Sequence, residues 1–273
     1  MIDENIDDVR QRISVAAKRS GHRAGDIALV AVTKNVLADA IREAISCGVK
    51  DIGENKVQEA KLKYSCLVSR EAYLVKREAC HCEAVRPKQS PTYRGLLRSA
   101  RNDVLLRFTN HVSLDTSNEL RWHMIGHLQT NKAKDAVGIF DLIQSVDSLK
   151  LAQAINTQAK RVDKVQNILV EVKTSGEAAK YGLAPEGLKG LLSELDTLEN
   201  ISVLGLMTMA PVVSNQEEAR PYFRRARELF EAASKRKYKR VNMKFLSMGM
   251  SDDFEAAVEE GANMVRVGRA IFG

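Results

Sequence analysis

The chain has no apolar stretch that approaches the roughly 20 residues needed to cross a bilayer. A basic leader is also missing, because the first residues include the acids Asp3, Glu4, Asp7 and Asp8. A secretory signal would instead begin with a positive segment followed by an apolar one. We therefore expect a cytoplasmic protein with no membrane partner.

Cysteine is scarce, with four residues in 273. No two of them form a Cys-x-x-Cys pair, and the cluster Cys80-His81-Cys82 lacks the spacing of an ordinary structural zinc site. The sequence therefore predicts reduced thiols and no metal centre.

The composition is that of a globular protein, with 44% hydrophobic residues and a net charge of +7. Residues 65–112 carry nine Lys and Arg against four acids, which leaves a net charge of only +2 for the rest of the chain. Basic character of this kind can indicate a nucleic-acid partner. Here it belongs to one segment, so it is not a property of the whole fold.

Outside that segment, short apolar runs alternate with amphipathic helical stretches, which is typical of parallel strands joined by crossover helices. The runs predict eight strands, at 27–33, 50–53, 122–126, 140–145, 167–172, 201–208, 244–248 and 264–267. The helical stretches lie near 3–19, 37–47, 55–64, 129–137, 148–161, 185–196, 215–236 and 252–260. This pattern predicts an α/β fold, a single TIM-type (β/α)₈ barrel over residues 1–273 with an extra N-terminal helix closing one end. An open doubly wound sheet is the alternative.

Residues 65–112 do not fit the alternation, since they show no sustained helical or strand period. They follow the helix after the second strand, where a long excursion can leave a barrel without changing the strand order. We interpret them as an insertion. The alternative is a basic arm that binds RNA or a membrane surface, but the segment has few aromatic rings to stack on bases. We therefore expect no nucleic-acid partner.

In a parallel barrel the functional residues follow the carboxyl ends of the strands. Lys34 closes the first apolar run, where its stem would be desolvated and its tip exposed. This setting lowers the pKa of an ammonium group and suits a Schiff-base lysine. The alternative is a lysine that merely extends to water.

Three further strand ends carry polar or soft side chains. Asn55 follows a glycine after the second run, and Met209 follows the sixth, where a thioether could pack on a flat ring. His127, with Gln129 and Asn131, follows the third run, either as a proton shuttle or as a structural histidine.

The last two strand ends predict a phosphate site, because barrels commonly build one there from backbone N–H groups. Ser247 lies at the end of the seventh run and Ser251 follows it, while Arg266 lies at the end of the eighth run and Gly268 and Arg269 follow it. An amine, a phosphate site and an arginine between them would suit a phosphorylated aldehyde held as an imine. Pyridoxal 5′-phosphate (PLP) is such a molecule.

Six motifs occur in the order found in a known family. They are Ala-Val-Thr-Lys (31–34), Gly-Glu-Asn-Lys-Val-Gln-Glu (53–59), Trp-His-Met-Ile-Gly-His-Leu-Gln-Thr-Asn-Lys (122–132), Gly-Leu-Met-Thr-Met-Ala-Pro (205–211), Leu-Ser-Met-Gly-Met-Ser-Asp-Asp (246–253) and Val-Arg-Val-Gly-Arg-Ala-Ile-Phe-Gly (265–273). Over residues 1–64 and 113–273 the chain closely resembles the PLP homeostasis proteins, the YggS/PROSC family. The resemblance does not cover the segment between.

The resemblance implies a barrel similar to the N-terminal domain of alanine racemase, with roles for eight residues. Lys34 would form the Schiff base, Ser251 with the backbone of Gly268 and Arg269 would hold the phosphate, and Arg266 would face the pyridine nitrogen. Ser247, Asn55 and Met209 would line the cofactor. A permanent cation at that nitrogen disfavours ring protonation and makes the cofactor a weaker electron sink.

Alanine racemase also needs a second domain that supplies a facing tyrosine, and only seven residues follow Arg266 in this sequence. The resemblance thus implies a monomer that binds and buffers PLP, delivers it to PLP-dependent apo-enzymes and is not itself an enzyme. A slow PLP-dependent racemase, a Schiff-base aldolase that uses Lys34 without a cofactor, and a nucleic-acid-binding protein acting through 65–112 remain the alternatives.

Overall fold

The computed structural model describes residues 1–68, 120–175 and 181–273. Eight strands form a closed barrel in chain order. They are Ala28–Val32 (β1), Asp51–Glu54 (β2), Arg121–Met124 (β3), Leu142–Val146 (β4), Gln166–Glu171 (β5), Ile201–Met207 (β6), Val241–Ser247 (β7) and Met264–Val267 (β8). Neighbouring strands are parallel, and β1 also pairs with β8, where Ala31 lies opposite Val267. The predicted barrel is confirmed, and the open sheet is wrong because that pairing closes the ring.

Nine α-helices lie within the described ranges. They are Ile2–Arg19 (α1), Ala38–Ser46 (α2), Val57–Val68 (α3), Ala133–Ile139 (α4), Leu149–Arg161 (α5), Leu188–Leu195 (α6), Arg220–Ser234 (α7), Phe254–Glu259 (α8) and Arg269–Phe272 (α9). All eight predicted helices are present, and α9 is an addition at the C-terminus. None of the helices in these ranges is long and apolar enough to span a membrane.

Most strand boundaries match the prediction closely, whereas β7 begins three residues before the predicted start at 244. The three added residues, 241–243, include the exposed side chain of Asn242, and the next side chain on the same face, Lys244, is exposed too. A search for apolar runs therefore missed them, because this part of the strand has one face in solvent.

The helix α1 does not close an end of the barrel as predicted. It packs against α8, α9 and α2 in the outer helical layer. Its buried stripe includes Ile6, Val9 and Ile13, and the side-chain amide of Asn5 donates to the carbonyl oxygen of Ile271 over 2.9 Å. The helix after β8 has four residues, too few to cover the β8–β1 seam, so α1 supplies the missing outer helix.

The helix α3 continues to Val68, four residues beyond its predicted end at 64, so it includes the first residues of the predicted insertion. The remaining residues of the predicted insertion, 69–112, lie outside the described residues, as does the cluster Cys80-His81-Cys82. The nucleic-acid arm placed there lies outside them too. Cys47 and Cys66, which are described, are free thiols.

Side chains on the strands alternate between two cores. Val30, Leu169 and Met264 belong to the smaller core inside the barrel. Ala31, on the same strand as Val30, belongs to the larger core between the strands and the helices. By this alternation Glu171, two residues after Leu169, also faces the barrel interior, at the carboxyl end of β5.

Candidate functional site

Lys34 lies in a tight turn directly after β1. The backbone N–H of Val36 donates to the carbonyl oxygen of Thr33 over 3.0 Å, and Asn35 takes a positive φ of 60°. Asparagine tolerates this left-handed conformation better than most residues. Lys34 is exposed, so the desolvation of its stem expected from the sequence is not found. Its amine is instead accessible from solvent at the carboxyl end of the barrel.

The strand end before Lys34 is held by a buried ion pair that the sequence did not reveal. Lys63 Nζ donates to the carbonyl oxygen of Thr33 over 2.6 Å and to Glu54 Oε1 over 2.8 Å. The hydroxyl of Thr33 donates to the same carboxylate oxygen. Glu54 is fully buried, so a paired cation is needed to offset its desolvation. These contacts fix the ends of β1 and β2.

Asn55 follows β2 and is half-buried. Its backbone touches Gly126 after β3 so closely that a Cβ on Gly126 would lie 2.3 Å from the Asn55 carbonyl oxygen. Only glycine permits that approach. The conformation of the loop that carries Asn55 therefore depends on a residue 71 positions later, for which the sequence alone offered no signal.

Arg266 is the buried cation of the site and is 3% exposed. Its guanidinium donates to the hydroxyl oxygen of Ser247 over 2.6 Å and to the carbonyl oxygen of Thr208 over 2.9 Å. Burial lowers the pKa of Arg266 to about 10, although the carboxylates of Glu171 and Asp253 oppose the shift. The group is thus a desolvated positive charge at neutral pH, and it favours an anionic or electron-rich ligand.

The loops after β7 and β8 converge on the hydroxyl of Ser251. Ser251 Oγ accepts hydrogen bonds from the backbone N–H of Gly268 over 3.3 Å and of Ala270 over 3.2 Å. Gly249 allows the first of these loops to turn, since its φ is 93° and a Cβ there would lie 2.8 Å from the Cα of Phe254. A hydroxyl and backbone donors therefore meet at one point.

The structure leaves Arg269 exposed, and its guanidinium forms an ion pair with Asp252. Because Asp252 belongs to the loop after β7, this ion pair links the two loops at the surface. Met209 is half-buried and packs over the interior core. Its contact with a cofactor remains a prediction.

The opposite side of the mouth holds an acidic group that the sequence analysis missed. Glu171 is 3% exposed, and burial, with help from the charge of Asp147, raises its pKa to about 7. The cations Arg266 and Lys173 oppose this rise. The sequence did contain a signal for this group, because Glu171 is a charged residue at the end of an apolar run.

His127 stacks on the ring of Tyr181, with 3.7 Å between the centroids. Its Nδ1 lies 3.8 Å from Asp147 Oδ2. Gln129 and Asn131 are exposed at the neighbouring 3₁₀ turn, Thr130–Lys132. Within the described ranges, no group of three His, Cys, Asp or Glu side chains is placed to hold a metal ion.

Comparison with known proteins gives consistent results. The family profile described as "Alanine racemase, N-terminal domain" matches residues 5–273. The pyridoxal phosphate homeostasis protein of Aquifex aeolicus is 37% identical, over 99% of this chain and 96% of that protein. The protein of the same name from Pseudomonas aeruginosa is 33% identical, over 100% and 95%.

Solved structures agree. PipY of Synechococcus elongatus with PLP bound is 30% identical, covers all of both chains and has a TM-score of 0.72. Alanine racemase of Clostridium difficile 630 is 16% identical, with a TM-score of 0.56 over 91% of this chain and 51% of that one, a likeness of fold alone. The chain belongs to the family of pyridoxal phosphate homeostasis proteins, built on the N-terminal barrel of alanine racemase.

Proposed function

We propose that this protein binds PLP as a Schiff base on Lys34 and serves as a carrier that maintains the intracellular level of the cofactor. The observation that carries the proposal is the placement of Ser251, Arg266 and Lys34 on or directly after three adjacent strands, β7, β8 and β1. An exposed amine, a buried cation and a hydroxyl beside backbone N–H groups lie at one end of the barrel. PLP offers an aldehyde, a pyridine ring and a phosphate to these three groups.

Each protein group has a distinct task in this proposal. Lys34 supplies the amine, and Ser251 with the backbone of Gly268 and Arg269 supplies donors for phosphate oxygens. Asn55, Met209 and Ser247 line the ring. The names of the relatives and the PLP-bound PipY structure support PLP as the ligand.

The cation at Arg266 explains why we assign a carrier and not a strong catalyst. When bound, PLP supplies an aldehyde and an electron-withdrawing ring, whose pull on electrons is greatest when its nitrogen is protonated. Arg266 is anchored by Ser247 and the carbonyl oxygen of Thr208, so its positive charge cannot move away. A fixed positive charge disfavours a second one at that nitrogen.

We further propose that residues 1–273 form one PLP-binding domain and that the protein is a cytoplasmic monomer. It passes PLP to apo-enzymes that depend on this cofactor. An exposed Lys34 supports transfer, since an amine of the recipient can reach the same carbon atom of the cofactor from solvent.

The test is to record the visible spectrum of the purified protein, reduce it with borohydride and map the modified peptide by mass spectrometry. We expect a yellow protein with a phosphopyridoxyl group on Lys34, and loss of that adduct in Lys34→Ala. Lys56→Ala is the matched control, because Lys56 is an exposed lysine after the neighbouring strand β2. A colourless protein that PLP cannot reconstitute would contradict the proposal.

A slow PLP-dependent racemase is the second candidate, and Glu171 is the observation that favours it. A carboxyl group with a pKa of about 7 at the barrel mouth can both give and take a proton near neutral pH. Loss of optical activity from an amino acid, faster than with free PLP and abolished in Glu171→Gln, would establish this activity.

A further inference from the structure

A continuous chain of buried hydrogen bonds runs through the barrel interior from Arg266. Arg266 donates to Ser247 Oγ over 2.6 Å, and Ser247 Oγ lies 2.6 Å from Gln144 Oε1. Gln144 Nε2 lies 2.9 Å from His123 Nδ1, and His123 Nε2 lies 2.9 Å from Asp51 Oδ1. Asp51 is the first residue of β2, so the chain ends at the opposite mouth of the barrel.

The far end of this chain is anchored by a second arginine. Arg121 donates to both carboxylate oxygens of Asp51, over 2.7 and 2.6 Å. Burial alone would raise the pKa of Asp51, but the hydrogen bonds from His123 and Arg121 outweigh it and hold the pKa below its usual value. The hydrogen-bond chain therefore begins at the guanidinium of Arg266 and ends at the carboxylate of Asp51.

The donors and acceptors along this series of contacts set the direction of each bond. Arginine has only donors, so Ser247 Oγ accepts from Arg266, and the hydroxyl gives its own proton to the acceptor that faces it, Gln144 Oε1. The amide nitrogen of Gln144 then points to His123 Nδ1, which must accept. A second amide proton faces Met264 Sδ over 3.3 Å, so both ends of the Gln144 amide are engaged.

We propose that Gln144 and His123 are positioning residues, which orient the hydroxyl of Ser247 and thereby hold the Arg266 guanidinium toward the ring of the bound cofactor. The identity of the ligand rests on the proposed function. The direction of the hydrogen bonds from Arg266 to Asp51 does not depend on it. In this arrangement a proton of His123 lies on Nε2, facing Asp51, because a proton on Nδ1 would face the donor of Gln144.

Other charged groups near His123 do not change this assignment. Asp51 and Arg121 are paired with each other, and Asp141 on the same side of the barrel accepts the backbone N–H of Trp122 over 2.8 Å. A cavity of about 60 Å³ lies here, and its lining includes Asp51, Arg121, His123 and Asp141. The buried cation Lys164 donates to the carbonyl oxygens of Val137 and Phe140.

Two substitutions at Gln144 separate positioning from simple packing. In Gln144→Met the side chain keeps similar length but loses both polar ends, so Ser247 is free to rotate. In Gln144→Glu one carboxylate oxygen still accepts from Ser247, and the other accepts from a second proton on His123. Gln166→Met is the control, because Gln166 is also a buried glutamine. Its side chain donates to the carbonyl oxygen of Phe140, which is not part of the hydrogen-bond chain from Arg266 to Asp51.

The first readout is NMR of the cofactor-free protein. We expect His123 to show the Nε2–H tautomer in the parent, and two ring protons in Gln144→Glu. Hydrogen exchange of the Arg266 guanidinium should be faster by about tenfold in Gln144→Met, the effect expected for the loss of one well-ordered hydrogen bond. It should stay near the parent rate in Gln144→Glu and Gln166→Met. An Nδ1–H tautomer, or exchange unchanged in Gln144→Met, would overturn the proposal.

The second readout is the PLP dissociation constant and the pH profile of the bound chromophore. We expect roughly tenfold weaker binding in Gln144→Met, and recovery in Gln144→Glu. Affinity and pH profile unchanged in Gln144→Met, with only the stability lowered, would show a structural role and overturn the proposal. A parent protein that binds no PLP, but shows the expected tautomer and exchange rates, would contradict the proposed function and support the orientation of Arg266 by the chain.

Discussion

Lys63 Nζ lies 2.6 Å from the carbonyl oxygen of Thr33, although Lys63 and Thr33 are 30 positions apart in the sequence. Thr33 is the residue directly before Lys34. The Lys63 amine also pairs with the buried carboxylate of Glu54 over 2.8 Å. A lysine on α3 therefore controls the end of the strand from which Lys34 projects.

Removal of that amine should be costly. Lys63→Met leaves Glu54 buried without a cation, and we expect a loss of about 3–5 kcal/mol in the free energy of unfolding, measured by chemical denaturation. The double variant Lys63→Met/Glu54→Gln should recover part of this loss, because the unpaired charge is gone. Lys61→Met is the control: Lys61 pairs with Asp135 at the surface, so the change should be within about 1 kcal/mol. A double variant no more stable than Lys63→Met would contradict the role of the buried pair.

The close contact at Gly126 makes a second prediction. A methyl group there would meet the carbonyl oxygen of Asn55 at 2.3 Å, so one of the two loops must shift. We expect Gly126→Ala to lower the free energy of unfolding by about 3 kcal/mol or more, since a backbone clash cannot relax by a change of rotamer. Gly138→Ala, in α4 with open space around the glycine, should be neutral or stabilising by up to about 1 kcal/mol. Equal stability of the two variants would disprove the contact.

Glu171 should make stability depend on pH. Its pKa is about 7 in the folded protein and 4.5 ordinarily, so the folded state retains the proton to a higher pH than the unfolded state does. The contribution of Glu171 to the free energy of unfolding is therefore fully present below about pH 4.5. As the pH rises through 7, the free energy of unfolding falls by about 3 kcal/mol.

Glu171→Gln should remove that loss. We expect the variant to be more stable than the parent at pH 8 and nearly equal to it at pH 4.5, measured by denaturant unfolding across this range. Glu194→Gln, at an exposed position on α6, is the matched control and should follow the parent curve. A constant difference between the parent and Glu171→Gln at all pH values would rule out a protonated Glu171.

Ser251 provides a prediction for the phosphate. Its hydroxyl oxygen meets the backbone N–H groups of Gly268 and Ala270, so Ser251→Ala removes one donor for a phosphate oxygen and loosens the two loops. We expect the PLP dissociation constant to rise about tenfold, as for the loss of a hydrogen bond to a charged group. The borohydride adduct on Lys34 should still form at saturating PLP. Ser193→Ala, at an exposed position on α6, should bind as the parent does. An unchanged constant in Ser251→Ala would place the phosphate elsewhere.

The pattern of apolar runs was enough to predict the barrel, because a strand buried on both faces must be apolar along its length. It was least reliable where a strand has one face in solvent, as at Asn242, and where a helix such as α1 covers a seam that only the closed ring creates. The strand-end rule selected Lys34, Ser251 and Arg266 as candidates, and the structure places them on or after neighbouring strands, since parallel strands place their carboxyl ends at one face of the barrel.

By itself, the sequence determined the strand order, the face that carries the site and the family, since periodicity and motifs are local properties of the chain. Only the tertiary structure decided which charges are paired and which way they point. Ser247 meets Gln144 across 103 positions, and His123 meets Asp51 across 72. Such contacts arise because closure of the barrel turns alternate side chains of distant strands into one interior, where each buried polar group must find a partner.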